Sequence, residues 1–188
     1  QLCLSRVLIA AAGAALRAFP VLELQDHSPR RRRRAGIPRV TATLNKVRCA
    51  VVGLGRIGSL LEDDRLREKP ATHAGAIAAN EDCELVGGSD IDENRRAAFR
   101  ERWGCEATYP RVEELIADTR PDLLCVATHP DSHYRMVRAA GLGGVAVAVC
   151  EKPLANRLGA AKRIARLHRS GQITVVTNHE RRYSSDYL

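Results

Sequence analysis

From Val47 the chain alternates short apolar runs with longer mixed segments. The runs Val47 to Val52, Glu84 to Ser89, Ala107 to Tyr109, Leu123 to Ala127, Val145 to Val149 and Ile173 to Thr177 are largely continuous in apolar and small residues. Strands covered by helices on both faces have this pattern, whereas a half-exposed strand alternates. Between the runs, Asp92 to Trp103, Arg111 to Asp118, Asp131 to Ala140 and Arg157 to Ser170 mix charged and apolar residues as helices do, and His73 to Asn80 is also helix-like. Gly104, Gly141 and Gly171 stand where helices should stop. Six strands alternating with helical crossovers predict an α/β domain. Its expected form is a doubly wound parallel sheet, the Rossmann arrangement, with strand order 3-2-1-4-5-6.

The first strand runs into Gly53-Leu-Gly55-Arg56-Ile57-Gly58, a G-x-G-x-x-G in the strand-to-turn context that gives the motif meaning. A pyrophosphate must approach backbone amides more closely than a Cβ would permit. Gly53 is expected to make the turn, Gly55 to admit the phosphates and Gly58 to allow close packing, with the Arg56 and Ile57 backbone beneath the pyrophosphate. The second strand ends at Asp90, whose carboxylate suits a ribose 2′-hydroxyl and repels a 2′-phosphate, so NAD is favoured over NADP. Arg95 and Arg96 close by temper that preference. Asp92 is better placed to cap the helix beginning near Glu93. Asp90 follows Gly58 by 32 residues where about 20 is usual. The excess is assigned to an insertion over Glu62 to Thr72 that divides the first crossover into two helices.

The fourth strand leads into Thr128-His129-Pro-Asp-Ser-His133, at the carboxyl edge where ligands bind in such sheets. Thr128, His129 and His133 are candidates to line the cofactor site from this loop. The fifth strand leads into Glu151-Lys152-Pro153. Proline fixes its own backbone and restricts the residue before it, so the Lys152 ammonium is aimed. Such a cation can polarise a carbonyl or take part in proton transfer at a hydroxyl, which makes Lys152 the catalytic candidate. Glu151 can bind the ribose on the nicotinamide side.

Charge changes the picture little. The formal net charge is +8, but residues 1 to 48 hold ten Lys/Arg and two Asp/Glu, and the remaining residues hold twenty of each. The basic excess therefore sits in a leader over residues 1–45, expected to be disordered or artefactual, ahead of a nucleotide-binding domain over residues 46–188. Its five arginines, Arg30 to Arg34, carry a weak nucleic-acid reading, and no nucleic-acid partner is expected. The apolar stretch Val7 to Leu16 is shorter than the roughly 20 residues a membrane helix needs, so no membrane partner is expected either. The six cysteines show no C-x-x-C and no metal spacing with histidine. They fit a reducing, cytoplasmic compartment, and no metal site is expected.

The ordered blocks Gly53 to Gly58, Glu84 to Asp90, Val126 to His133, Cys150 to Ala155 and Thr177 to Tyr183 resemble those of the glucose-fructose oxidoreductase and inositol dehydrogenase family, Gfo/Idh/MocA. The resemblance covers Val47 to about Tyr187, and the order of the blocks is more specific than any one of them. It implies that Lys152 is the active-site lysine and that Glu151, Asp90 and the glycines contact the cofactor. It further implies hydride transfer between NAD and a sugar, cyclitol or similar polyhydroxylated secondary alcohol or ketone. Family members continue into an α+β domain carrying substrate contacts. With the sequence ending at Leu188, that domain is expected to be missing. The competing expectation is a non-catalytic NAD-binding sensor or pseudoenzyme. A homo-oligomer is compatible with the full-length form.

Overall fold

A computed structural model describes residues 46–179. The basic leader and residues 180–188, with the Glu180 to Tyr183 end of the last block, lie outside the described residues.

Six strands form one parallel sheet in the order β3-β2-β1-β4-β5-β6: β1 (Val47–Val52), β2 (Cys83–Ser89), β3 (Thr108–Tyr109), β4 (Leu123–Val126), β5 (Val147–Glu151) and β6 (Thr174–Asn178). This is the expected order, and its reversal falls between β1 and β4. Successive side chains of a strand point to opposite faces, and both faces are buried. Cys49 and Val51 enter one core layer with Ile77, Phe99, Leu123 and Val149. Ala50 and Val52 enter the other with Leu115, Ile116, Met136, Val137 and Ile164. The first layer is covered by α1 (His73–Ala78) and α2 (Glu93–Trp103), the second by α3 (Val112–Thr119), α4 (His133–Leu142) and α5 (Leu158–Arg169). Burying a large aliphatic or aromatic side chain in such a layer contributes about 1.5–3 kcal/mol, and this holds the helices to the sheet.

Asp92 caps α2, accepting a hydrogen bond from the Asn94 amide at 2.9 Å, as expected. Three details differ from expectation. The helix α4 does not stop at Gly141 but runs to Leu142, and the chain turns at Gly143 and Gly144, the latter with φ +82°. Consequently β5 begins two residues later than the apolar run and includes Glu151 as its last member, paired with Asn178. The first crossover is broken, but its first part is only a short 3-10 helix, Leu60–Asp63. The inserted segment after it is tied back by Glu62. Its carboxylate accepts from the Ala71 amide at 3.1 Å and from the Thr72 hydroxyl at 2.6 Å, while Thr72 Oγ1 caps α1 through the Gly75 amide.

Candidate cofactor and active site

Parallel strands put every carboxyl end on one rim, so the residues following β1, β2, β4 and β5 converge there. Gly53 has φ +89°, and a Cβ on it would stand 2.7 Å from the Ala127 carbonyl, so this turn against β4 requires glycine. At Gly58 a Cβ would fall 1.9 Å from the Gly53 carbonyl oxygen, so the loop closes on itself only without a side chain. At Gly55 the nearest atom to such a Cβ is an Arg95 guanidinium nitrogen at 3.5 Å, leaving backbone open to the cleft.

The loop's carbonyls are already used. Ile57 and Gly58 accept from the His73 and Ala74 amides, the first two of α1, at 3.0 and 3.1 Å. These are amides that a helix start leaves without internal partners. The amides of Gly55, Arg56 and Ile57 have no acceptor among the described residues. These three residues line a cleft of about 600 Å³ together with Gly53, Asp90, Arg95, Thr128 and His129. Unsatisfied amides in a glycine turn suit an anion, so this cradle fits a pyrophosphate.

Asp90 sits almost fully buried at the cleft's edge. Its Oδ2 accepts from the Leu54 amide at 2.8 Å and its Oδ1 from the Asp92 amide at 3.0 Å. The carboxylate therefore also fixes the glycine turn from the next strand. Arg95 lies 3.4 Å from Asp90 Oδ2, and Arg96 donates to the Asp90 carbonyl at 2.6 Å. Thr128 and His129 line the cleft, with the Thr128 hydroxyl accepting from Ser132 at 2.7 Å.

The expectation that His133 lines the cleft is corrected. It is fully buried, with Nε2 2.9 Å from the Thr128 carbonyl oxygen and Nδ1 3.2 Å from that of Leu154, so it straps the loop after β4 to the one after β5.

Glu151 and Lys152 stand beyond this cleft on the same rim. Val52 pairs with Val126 and Val126 with Cys150, so Gly53 and Glu151 each follow directly at that level. Two strand spacings separate them, about 10 Å. Lys152 is exposed, and its ammonium has no hydrogen bond or ion pair among the described residues. Glu151 is buried and engaged: Oε1 is 2.9 Å from His73 Nε2 and accepts from Asn178 Nδ2 at 2.6 Å, and Oε2 accepts from the Lys152 amide at 3.3 Å. Burial opposes ionisation of Glu151, but the His73, Asn178 and Lys152 partners outweigh it and hold the carboxyl below its ordinary range. Burial likewise opposes a charged His73, yet the Cys125 sulfur and the Glu151 carboxylate push its pKa up to about 10. The two shifts agree on a buried imidazolium–carboxylate pair. His73 and Asn178 were not singled out in the sequence. The helix start at His73 and the Thr177 to Tyr183 block that holds Asn178 were marked, but nothing local signals a partner 78 residues away.

Residues 47–179 match a family described as "Oxidoreductase family, NAD-binding Rossmann fold". Myo-inositol 2-dehydrogenase of Thermotoga maritima is 28% identical over 141 residues, 75% of this chain and 38% of that protein. D-apiose dehydrogenase of Paraburkholderia graminis is 27% identical over 136 residues, 72% of this chain and 33% of that protein. The chain thus spans well under half the length of these relatives. Among solved structures, the WlbA dehydrogenase of Chromobacterium violaceum, in complex with NADH and UDP-GlcNAcA, superposes with a TM-score of 0.65 at 24% identity, covering 81% of this chain and 40% of that one. At that identity the likeness is one of fold. With the family match spanning most of the chain and the strand order and glycine turn in place, this chain belongs to the Gfo/Idh/MocA oxidoreductase family, in its NAD-binding Rossmann fold.

Proposed function

We propose that the chain is the cofactor-binding portion of an NAD-dependent dehydrogenase acting on a sugar, cyclitol or related polyhydroxylated secondary alcohol or ketone. The observation that carries the reading is the shared rim: a cradle of unsatisfied amides after β1 and the Lys152 ammonium after β5, about two strand spacings apart. The relatives' printed activities, on myo-inositol and D-apiose, supply the substrate class.

The amides of Gly55, Arg56 and Ile57 would hold the pyrophosphate, and Asp90 the adenosine ribose. A nicotinamide cofactor bound there supplies the hydride acceptor or donor. Lys152 would hold the substrate's hydroxyl or carbonyl oxygen at its Nζ and take part in moving that oxygen's proton. Thr128 and His129 would border the cofactor from the β4 side. Asp90 favours NAD, since a carboxylate at the end of β2 accepts from a ribose 2′-hydroxyl and repels a 2′-phosphate. The described cysteines, Cys49, Cys83, Cys105, Cys125 and Cys150, are free thiols, which supports a reducing, cytoplasmic setting. No helix among the described residues is long and apolar enough to cross a membrane.

The test is NADH binding to the purified chain, with Asp90→Ala beside it. Saturable binding weakened by the substitution supports the reading, and equal affinity in both removes the ribose assignment.

A further inference from the structure

We infer that His73 is a positioning residue, holding Glu151 so that the Glu-Lys-Pro corner after β5 is set to receive the nicotinamide half of the cofactor, and tying that corner to the glycine loop. The inference rests on the NAD-binding reading above.

Two sets of bonds meet at His73. By its backbone it belongs to the glycine loop, because the first two amides of α1 are donated to the Ile57 and Gly58 carbonyls. By its side chain it belongs to the other end of the site, because Nε2 meets Glu151 Oε1 at 2.9 Å with the imidazole fully buried. The same oxygen takes the Asn178 amide, so the carboxylate cannot rotate without breaking two bonds. Oε2, bonded only to the Lys152 amide at 3.3 Å, keeps acceptor capacity. The corner preceding the catalytic ammonium is thereby fixed from α1, β5 and β6 together.

Packing alone does not call for this arrangement. A buried ion pair contributes little more than apolar residues of the same volume would, because both charges must leave water. Asn178 Oδ1 moreover lies buried without a hydrogen-bond partner, a further cost. What the pair supplies is orientation at the rim. A dinucleotide crosses the point where strand order reverses. Its adenosine half falls on the Asp90 side and its nicotinamide half on the Glu151 side, so a fault in the His73–Glu151 contact should be felt by one half only.

The experiment is calorimetric titration of the chain with NADH and, separately, with ADP, which lacks both the nicotinamide and its ribose. For His73→Leu we expect NADH affinity to fall by about tenfold or more while ADP affinity stays at the wild-type value. His73→Gln, whose amide can still donate to Glu151, should recover most of the loss. Glu151→Gln should reproduce the selective loss, and His73→Asn, whose side chain is too short to reach Glu151, carries the test if His73→Leu fails to fold by circular dichroism. Equal loss of both ligands in a folded variant would reduce His73 to a prop for the glycine loop, and unchanged NADH affinity would remove any role. A wild-type chain that binds neither ligand would instead overturn the NAD reading itself.

Discussion

Replacing His73 by leucine should change not only how stable the fold is but how its stability depends on pH. In the folded chain the imidazole pKa is pushed up to about 10 from an ordinary 6.5, with the Cys125 sulfur and the Glu151 carboxylate outweighing the opposing effect of burial. Folding therefore takes up a proton. The associated stability is fully present below about pH 6.5 and is lost progressively as pH rises toward 10, at about 1.4 kcal/mol per pH unit. Over that interval the total is roughly 4–5 kcal/mol, matching the 3–5 kcal/mol that breaking a buried pair typically costs. His73 is fully buried, so no screening by solvent reduces the figure. Glu151, held below its ordinary range, acts in the opposite sense: its contribution is present above about pH 4.5 and declines as pH falls through the folded value. Urea unfolding of wild type and His73→Leu at intervals from pH 6 to 10 measures the difference directly; groups that do not face His73 cancel, leaving the contribution of the His73, Glu151 and Cys125 cluster. The gap should be widest near pH 6 and narrow steadily toward pH 10. A gap independent of pH would mean that His73 is neutral in the fold and that the ion pair does not exist.

Other substitutions test the remaining parts. Gly58→Ala places a Cβ 1.9 Å from the Gly53 carbonyl oxygen; thermal melts should show a loss of about 1–3 kcal/mol or more, and NADH titration should show no saturable binding. Asp90→Ala removes the acceptor for the Leu54 and Asp92 amides, so unfolding should show a cost of about 1.5–3 kcal/mol alongside weakened NADH binding. Lys152→Ala, at an exposed side chain without partners among the described residues, should leave the melting curve and NADH affinity as in wild type. Turnover of sugars or inositols by an enzyme bearing this chain should fall about 10²-fold or more, and full retention would remove the lysine from the chemistry.

The strand order was legible because a sheet covered on both faces writes each strand as an unbroken apolar run, and crossover helices separate the runs. The glycine turn was legible because its sterics act within six residues, and Asp90 because it ends the next strand. Where partners are distant in sequence, legibility failed. His133 has the composition of a cleft residue, yet its ring is spent on the carbonyls of Thr128 and Leu154, one of them 21 residues on. The His73–Glu151–Asn178 contact joins three segments that only the assembled sheet brings together. Gly141 looked like a helix stop, but its position lies against Gln172 and Ile173 within α4, and the turn waits for Gly143 and Gly144. The short 3-10 helix in the first crossover reflects Glu62 folding the insertion back on itself, a tertiary choice that propensity does not record.

The most direct measurement of the central claim is an NMR search for intermolecular contacts between the bound cofactor and selectively labelled lysine. With NADH bound, magnetisation should pass between the nicotinamide ring protons and the Lys152 side chain, and Lys152→Ala should abolish those cross-peaks without releasing the cofactor. Tight binding in which the ring protons contact other lysines, or none, would contradict the placement of amine and nicotinamide on one rim.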